Sequence, residues 1–107
     1  MQWLLQLSLA RPDALQTGLT DSESQLVGQH FAYWQDLTER GIAFVVGRTQ
    51  DEVDPLGLAI FSADDEATAD KIVQADPGVS GGVFLAKVRP YQIALKASSE
   101  HVTSLWN

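Results

Sequence analysis

The first apolar residues of the chain stand at every second position, in the series Trp3, Leu5, Leu7 and Leu9. A period of two predicts a β-strand with one strongly apolar face, and we place this strand over residues 3–10. The segment Arg11-Pro12-Asp13 then breaks the pattern, because proline cannot donate a hydrogen bond to a neighbouring strand. A connection without clear periodicity follows, up to about residue 21.

The next apolar positions recur at steps of three and four residues, which is typical of one face of an amphipathic helix. They are Leu26, His30, Tyr33, Trp34 and Leu37. His30 is the unusual member of this stripe, since it places an ionisable ring on the face that should meet the core. It is therefore the first candidate for chemistry in the chain.

Both ends of this predicted helix carry capping signals. Thr20 followed by Glu23 predicts a capping box at the start, with Asp21 and Ser22 as alternative caps. Gly41 stands where helices commonly end in a left-handed residue, a conformation that costs glycine little. We therefore expect the helix to run from about Asp21 to just before Gly41.

Two further apolar runs, residues 42–47 and 58–61, are rich in β-branched and aromatic residues and predict the second and third strands. The polar, acidic segment between them favours an antiparallel hairpin with a long loop. A second helix is expected to begin at Ser62, where acidic residues follow. It should end at Asp76-Pro77-Gly78, since proline cannot continue a helix.

Residues 83–88 predict a fourth strand, which an extension as far as Leu95 would lengthen. The resulting order is β-α-β-β-α-β. It folds most simply as an α+β, ferredoxin-like antiparallel sheet with both helices on one face. We therefore predict a single domain over residues 1–97 and a C-terminal tail over residues 98–107.

The face of the sheet that the helices leave open has an apolar character of its own. With the odd positions of the first strand in the core, the opposite face would carry Leu4, Gln6 and Ser8, joined by Ala43, Val45, Ala59 and Phe61. The fourth strand is apolar on both faces, and such a strand is usually covered on both. We predict a homodimer in which two sheets face each other, a dimeric α/β barrel. The alternative is a monomer whose tail, with Leu105 and Trp106, folds over that face.

Composition restricts the partners of this chain of 107 residues. Its net charge of -7 argues against nucleic acid and anionic membranes as partners, since both require a basic surface. The apolar start is too short to span a bilayer and follows no Lys or Arg, so we expect no secretory signal and a cytoplasmic location. The absence of cysteine excludes disulfides and thiol chemistry.

Five short motifs are spaced along the chain up to its last ten residues. They are His30-x-x-Tyr33-x-x-x-Leu37-x-x-x-Gly41, Gly47, Asp76-Pro77, Gly82-Val83-Phe84 and Val88-Arg89-Pro90-Tyr91. Their order and spacing resemble those of the YciI-like proteins, the YCII-related domain family. The resemblance implies a ferredoxin-like dimeric α/β barrel whose active site is a histidine–aspartate pair, here His30 and Asp76. It also implies that some relatives are small lyases or isomerases acting on ring compounds, including halogenated ones.

The chain departs from the family pattern at two positions. Members often carry an arginine three residues before the histidine, where this chain has Val27. They also often have Gly-Pro after the second strand, where this chain has Gly47-Arg48. The first change removes a cation beside the site and the second supplies one elsewhere, so a relative's substrate is not transferred to this chain.

The residues themselves also point to the same pair. A carboxylate at a helix C-terminus faces the negative end of the helix dipole, which costs up to about 1 kcal/mol and requires an offsetting contact. Two helices side by side on one sheet face would let Asp76 meet His30. A carboxylate bound to one ring nitrogen raises the basicity of the other, which is the arrangement of a general base. The alternative is a buried, satisfied histidine beside an aspartate that caps the Pro-Gly turn.

Candidates for binding a ligand lie nearby in the pattern. The candidates for the walls of an apolar pocket for a ring-shaped molecule are Tyr33, Trp34, Trp3 and Tyr91, although such aromatics are more often core residues. Arg48 could bind a carboxylate or phenolate at the pocket mouth, or be an exposed loop arginine. With two histidines and no close His/Asp/Glu spacing, neither a metal nor another cofactor is expected.

These observations predict a small cofactor-free enzyme of lyase or isomerase type. In it His30 accepts a proton and Asp76 orients the ring, for elimination or isomerisation of a small organic acid or phenol-like compound. One alternative is a non-catalytic dimer that binds or senses a small ligand in the same pocket. The other is a structural accessory subunit without a pocket.

Overall fold

The computed structural model describes residues 1–97, which form one antiparallel sheet in the strand order β2-β3-β1-β4 with helices against one face. The elements are β1 (Gln2–Leu9), α1 (Ala14–Thr17), α2 (Asp21–Glu39), β2 (Ala43–Arg48), β3 (Gly57–Ser62), α3 (Glu66–Gln74), α4 (Pro77–Ser80) and β4 (Phe84–Tyr91). The predicted ferredoxin-like order is therefore confirmed, with α1 and α4 as short additions. The tail over residues 98–107, and with it the packing suggested for Trp106, lies outside the described residues.

The central strand β1 supplies the middle of the core. Trp3, Leu5 and Leu7 are at most 5% exposed, as the period-two pattern predicts for one face of a strand. β1 pairs with β3 on one side and with β4 on the other. Its apolar face packs against buried residues of α2 and α3. The indole N–H of Trp3 donates to the carbonyl of Ala63 at 3.1 Å, which satisfies its one polar atom inside the core.

The register of the hairpin corrects the predicted face of three residues. Ala43 pairs with Phe61, and Ala59 pairs with Leu5 of β1, so all of these side chains point into the core. The expectation that Ala43, Ala59 and Phe61 lie on the open face was wrong. In β2 the cause is a β-bulge between Ala43 and Val45. Its extra residue puts these two side chains on opposite faces, so Ala43 lies in the core while Val45 lies on the other face.

The open face of the sheet is apolar along β2 and β3, while on β4 it also carries Lys87 and Arg89, which pair with Gln6 and Leu4. Cross-strand partners share a face, and the register aligns Val45 with Ile60 and Leu4, and Leu85 with Ser8. Val45 and Leu85 are about 60% exposed. Within residues 1–97 the helices α2 and α3 pack on the opposite face, and we name this one the open sheet face. No helix in the same range is long and apolar enough to cross a membrane.

Helix α2 begins and ends at the predicted signals. Thr20 accepts from the backbone N–H of Glu23, while the Glu23 carboxylate accepts from the N–H of Thr20, which completes the capping box. At the other end Gly41 has a φ of 77°, and the N–H of Ile42 donates to the carbonyl of Leu37. This pairing is a Schellman motif, so the helix has a defined stop.

An ion pair that the sequence pattern did not reveal ties the end of β1 to the start of α2. Two guanidinium nitrogens of Arg11 donate to the two carboxylate oxygens of Glu23, at 2.7 and 3.2 Å. The hydrogen bonds from Arg11, followed by that from the Thr20 backbone, lower the pKa of Glu23 to about 2. Glu23 thus holds the helix start through the cap and through Arg11 together.

Candidate active site

Two side chains of α2 point toward the junction of α3 and α4. His30 and Trp34 are four residues apart, so they lie one above the other on the same helix face. Trp34 is 1% exposed, whereas the His30 side chain retains 17%. The helix therefore presents a fully buried indole and, one turn earlier, an imidazole at the border between core and solvent.

Asp76 occupies the junction between the two helices and is completely buried. It was predicted to end the second helix, with its carboxylate at the negative end of that helix dipole. Instead it is the N-cap of α4, with Pro77 as the first residue of that helix. Proline is favoured there because its fixed φ suits a helix start and its missing N–H is not needed. The expected dipole penalty is therefore replaced by a capping hydrogen bond.

The Asp76 carboxylate accepts three hydrogen bonds. Its Oδ2 accepts from His30 Nδ1 at 2.7 Å and from Trp34 Nε1 at 2.9 Å. Its Oδ1 accepts from the backbone N–H of Gly78 at 2.8 Å. A buried charge is costly unless it is paired and hydrogen-bonded, and these three donors meet that condition.

The contact also determines the tautomer of His30. An ionised carboxylate only accepts hydrogen bonds, so Nδ1 of the ring carries the proton that lies between His30 and Asp76. In the neutral ring Nε2 then has a free lone pair and can accept a proton. The arrangement is that of an oriented general base.

The first turn of α4 fits tightly against His30. A Cβ on Gly78 would lie 2.8 Å from the ring of Phe84 and 3.0 Å from Cβ of His30. The Phe84 ring in turn lies 4.9 Å from the imidazole, centroid to centroid. Gly78 is thus needed for close approach, and Phe84 closes one side of the His30 ring.

A narrow cleft borders His30 between α2 and the sheet. Its volume is about 20 Å³, room for about one water molecule. It is lined by Leu5, Leu7, His30, Trp34, Val46, Gly47, Gly57, Leu58 and Ala59. A larger hollow of about 260 Å³ lies at the end of β1 around Arg11 and Asp54, and neither His30 nor Asp76 borders it.

The predicted ligand-binding residues occupy different places. Trp34 lines the cleft, but Tyr33 bridges two helices by donating its hydroxyl to the carbonyl of Ile72 at 2.6 Å. Burial, followed by the nearby charge of Asp76, raises the pKa of Tyr33. Arg48 is exposed and pairs with Gly57, which puts it on the helix-covered face next to the cleft. Tyr91 pairs with Gln2 on the open sheet face, so within one chain it does not join His30.

Three features of the site escaped the sequence pattern. The hydrogen bond from Trp34 to the carboxylate, the tight position of Gly78 and the tilted contact of the Phe84 ring with His30 all depend on tertiary contacts. The four-residue step from His30 to Trp34 was the one available signal, because it placed both rings on one face. Within residues 1–97 no group of three or more His, Asp or Glu side chains is arranged to hold a metal ion.

Comparison with known proteins places this geometry in context. Residues 1–92 match the model of the YCII-related domain. No curated protein matches the chain. A similar solved structure is that of 5-chloro-2-hydroxyhydroquinone dehydrochlorinase from Burkholderia phenoliruptrix AC1100, in complex with 2,5-dihydroxybenzoquinone. The TM-score is 0.62 and the identity 24%, over 86% of this chain and 94% of that one, which shows that the fold is shared.

Proposed function

The chain belongs to the YCII-related domain family, and we propose that it is a small-molecule enzyme in which His30 acts as general base and Asp76 orients it. The observation that carries this proposal is the 2.7 Å contact between Nδ1 of His30 and the completely buried carboxylate of Asp76. The carboxylate orients a ring that borders both a cleft and solvent, as catalysis requires.

The proposed chemistry is elimination or isomerisation. His30 Nε2 takes a proton from a carbon or hydroxyl of the substrate, and the electron pair of the broken bond stays with the substrate. In elimination this pair forms a double bond and expels a leaving group, which departs with its own bonding pair. In isomerisation the imidazolium returns the proton at a different atom. Neither route requires an oxidant or reductant.

The cleft favours a substrate that is partly apolar. Leu5, Leu7 and Ala59 supply its sheet side, while the cation of Arg48 lies on the same face by strand register, opposite the Gly57 that lines the cleft. A guanidinium suits a carboxylate or phenolate group. The structural neighbour is a dehydrochlorinase of a chlorinated hydroxyhydroquinone, so a phenol-like ring compound is the substrate class that we propose for this chain as well.

The cleft in one chain is too small for such a ring, since it holds about one water molecule. Substrate entry therefore requires that α2 and the edge strand β2 separate. We propose a homodimer that forms through the open sheet face, where Val45 and Leu85 are exposed. This dimer would also bury Tyr91, which lies on the same face.

A panel of chlorinated and unchlorinated hydroquinones and short aromatic acids tests the proposal. 5-Chloro-2-hydroxyhydroquinone is the first member, with released chloride and the ultraviolet spectrum as readouts. We expect turnover by the native chain and its loss in His30→Gln, while Gln29→Ala, an exposed neighbour on α2, keeps the native rate. Circular dichroism checks that each variant is folded.

The same experiment separates the enzyme from its alternative. If His30→Gln binds a panel member as tightly as the native chain but no longer converts it, the residue acts in chemistry. If the native chain binds a member and converts none, the protein is a ligand-binding dimer. If it neither binds nor converts any member, the proposed substrate class is wrong.

A further inference from the structure

The indole N–H of Trp34 shares an acceptor with the imidazole of His30. Both donate to Oδ2 of Asp76, at 2.9 and 2.7 Å. We propose that Trp34 is a positioning residue. It orients the Asp76 carboxylate toward His30 and weakens the attraction between that carboxylate and the imidazolium form of His30. This inference rests on the proposed function for its catalytic meaning, but the coupling it describes is measurable without a substrate.

The geometry gives each carboxylate oxygen a fixed partner. Oδ1 is held by the N–H of Gly78, and Oδ2 by the two rings from α2, so rotation of the carboxylate would break at least two hydrogen bonds. Trp34 is itself buried, with 1% of its surface exposed. Its ring packs edge-on between Tyr33 and Phe61, with centroids 5.6 and 5.7 Å away. The indole therefore acts as a rigid stop against which the carboxylate is aligned.

The indole also affects the affinity of His30 for a proton. An indole N–H stays protonated over the pH range in which proteins are folded, so it always donates to Oδ2 and offsets part of the negative charge on that oxygen. Less negative charge then remains for the imidazolium that forms when His30 accepts a proton. Trp34 thereby lowers the proton affinity that Asp76 alone would give the ring, and it favours release of the proton after each turnover.

Few other titratable groups face His30 from the elements that pack against it. Asp76 is bonded to the ring, and Tyr33 on α2 has its hydroxyl tied to a backbone carbonyl. Arg48 of β2 lies on the same side of the sheet by register. The residues of β1, β3 and β4 that line the cleft or contact the His30 ring are apolar, namely Leu5, Leu7, Leu58, Ala59 and Phe84. Trp34 therefore affects the proton affinity of the His30 ring through Asp76.

Trp34→Phe removes the N–H donor, and Trp3→Phe is its matched control. Trp3 is also an almost fully buried tryptophan, 4% exposed, but its N–H donates to a backbone carbonyl and not to a carboxylate. We measure the pH midpoint of the His30 ring protons by NMR, with His30→Gln to assign the signals. The midpoint should rise by roughly half a pH unit in Trp34→Phe and stay at the native value in Trp3→Phe. An unchanged or lowered midpoint in Trp34→Phe overturns the inference, as does an equal rise in Trp3→Phe.

A second measurement uses the native protein and therefore does not depend on whether a variant folds. In the native protein the indole N–H signal of Trp34 should move with pH at the same midpoint as His30, because both donors share Oδ2. An indole signal that stays constant through the His30 transition overturns the coupling. Since neither measurement involves turnover, a failed substrate panel counts against the proposed function, while these NMR results decide the role of Trp34.

Discussion

Gly78 and His30 approach each other so closely that a Cβ on the glycine would lie 3.0 Å from Cβ of the histidine. The contact joins the first turn of α4 to the middle of α2. The N–H of Gly78 also donates to the Asp76 carboxylate. One glycine therefore fixes the carboxylate and limits the position of the His30 side chain. The site thus depends on backbone packing as well as on its polar side chains.

Gly78→Ala should destabilise the protein, because the new methyl would lie 2.8 Å from the Phe84 ring and force both rings to shift. Overpacking of this kind costs about 1–3 kcal/mol. Urea unfolding measures the loss, and the His30 ring signals should move at the same time. Gly28→Ala is the matched control, since Gly28 is exposed on α2 with no atom near its added Cβ. It should stabilise the protein by up to about 1 kcal/mol. Equal stability of the two variants would contradict the tight contact.

Asp76→Asn keeps the size of the side chain but should destabilise the protein, and it reverses the tautomer of His30 where its NH₂ group faces that ring. An amide has one accepting oxygen where the native site presents two, so a donor would be left facing the NH₂ group. If that donor is Nδ1 of His30, the ring can respond by moving its proton to Nε2, which removes the basic lone pair. Nitrogen NMR of the ring reads the tautomer directly. Denaturant unfolding should show a loss of about 1–3 kcal/mol for the unsatisfied buried group.

Asp76→Ala serves as the comparison for this variant, because it removes the carboxylate without supplying a competing donor. It should leave His30 with a mixture of tautomers. Retention of a single Nδ1–H tautomer in Asp76→Ala would show that the carboxylate does not set the proton position.

The pH dependence of stability should carry a signal from Glu23. Arg11 lowers the pKa of this carboxyl in the folded state to about 2, below its ordinary value of 4.5. Its contribution is therefore fully present above about pH 4.5 and is lost as the pH falls toward 2. In Glu23→Gln the amide oxygen can still accept from the N–H of Thr20, but the pairing with Arg11 loses its charge.

Thermal unfolding of the native chain and of Glu23→Gln tests this reading of the ion pair. The native chain should melt higher at pH 6, and the difference should disappear as the pH approaches 2. Glu39→Gln, a change at an exposed glutamate at the end of α2, should show no such convergence. A difference between native and Glu23→Gln that is independent of pH would mean that the cap alone, without the charge, accounts for the effect.

Much of this fold could be predicted from local patterns, and the exceptions have specific physical causes. Trp3, Leu5 and Leu7 follow the period of two, and Thr20 with Glu23 follows a capping rule, so both were readable from neighbouring residues. The bulge after Ala43 was not, because a bulge is decided by how β2 pairs with β3. Local rules allowed the proline after Asp76 either to stop one helix or to start the next, and only the packing of α4 decided between them.

The candidate site also has features that the sequence predicts and features that depend on tertiary contacts. His30 stood out because an ionisable ring interrupts an apolar stripe, and its partner could be proposed from the placement of two helices on one face. The shared oxygen between His30 and Trp34 could not, since it depends on the rotamers of three side chains. Tyr91 shows the opposite error, because its aromatic character suggested a pocket wall while the register of β4 puts it on the open sheet face.

The open sheet face leads to the last prediction, which concerns Leu85. This leucine is 60% exposed on the open sheet face, where it pairs with Ser8 and precedes Lys87 on the same face, and a stable homodimer through that face would bury it. Leu85→Arg should therefore convert a dimer into a monomer, because each chain would bury a further cation beside Lys87 without a partner. Sedimentation at micromolar concentration measures the change. Phe31→Arg is the control: Phe31 is also exposed but belongs to α2, which packs on the opposite face of the sheet, so this variant should remain a dimer. A native chain that sediments as a monomer, or a Leu85→Arg variant that remains a dimer, would contradict assembly through this face.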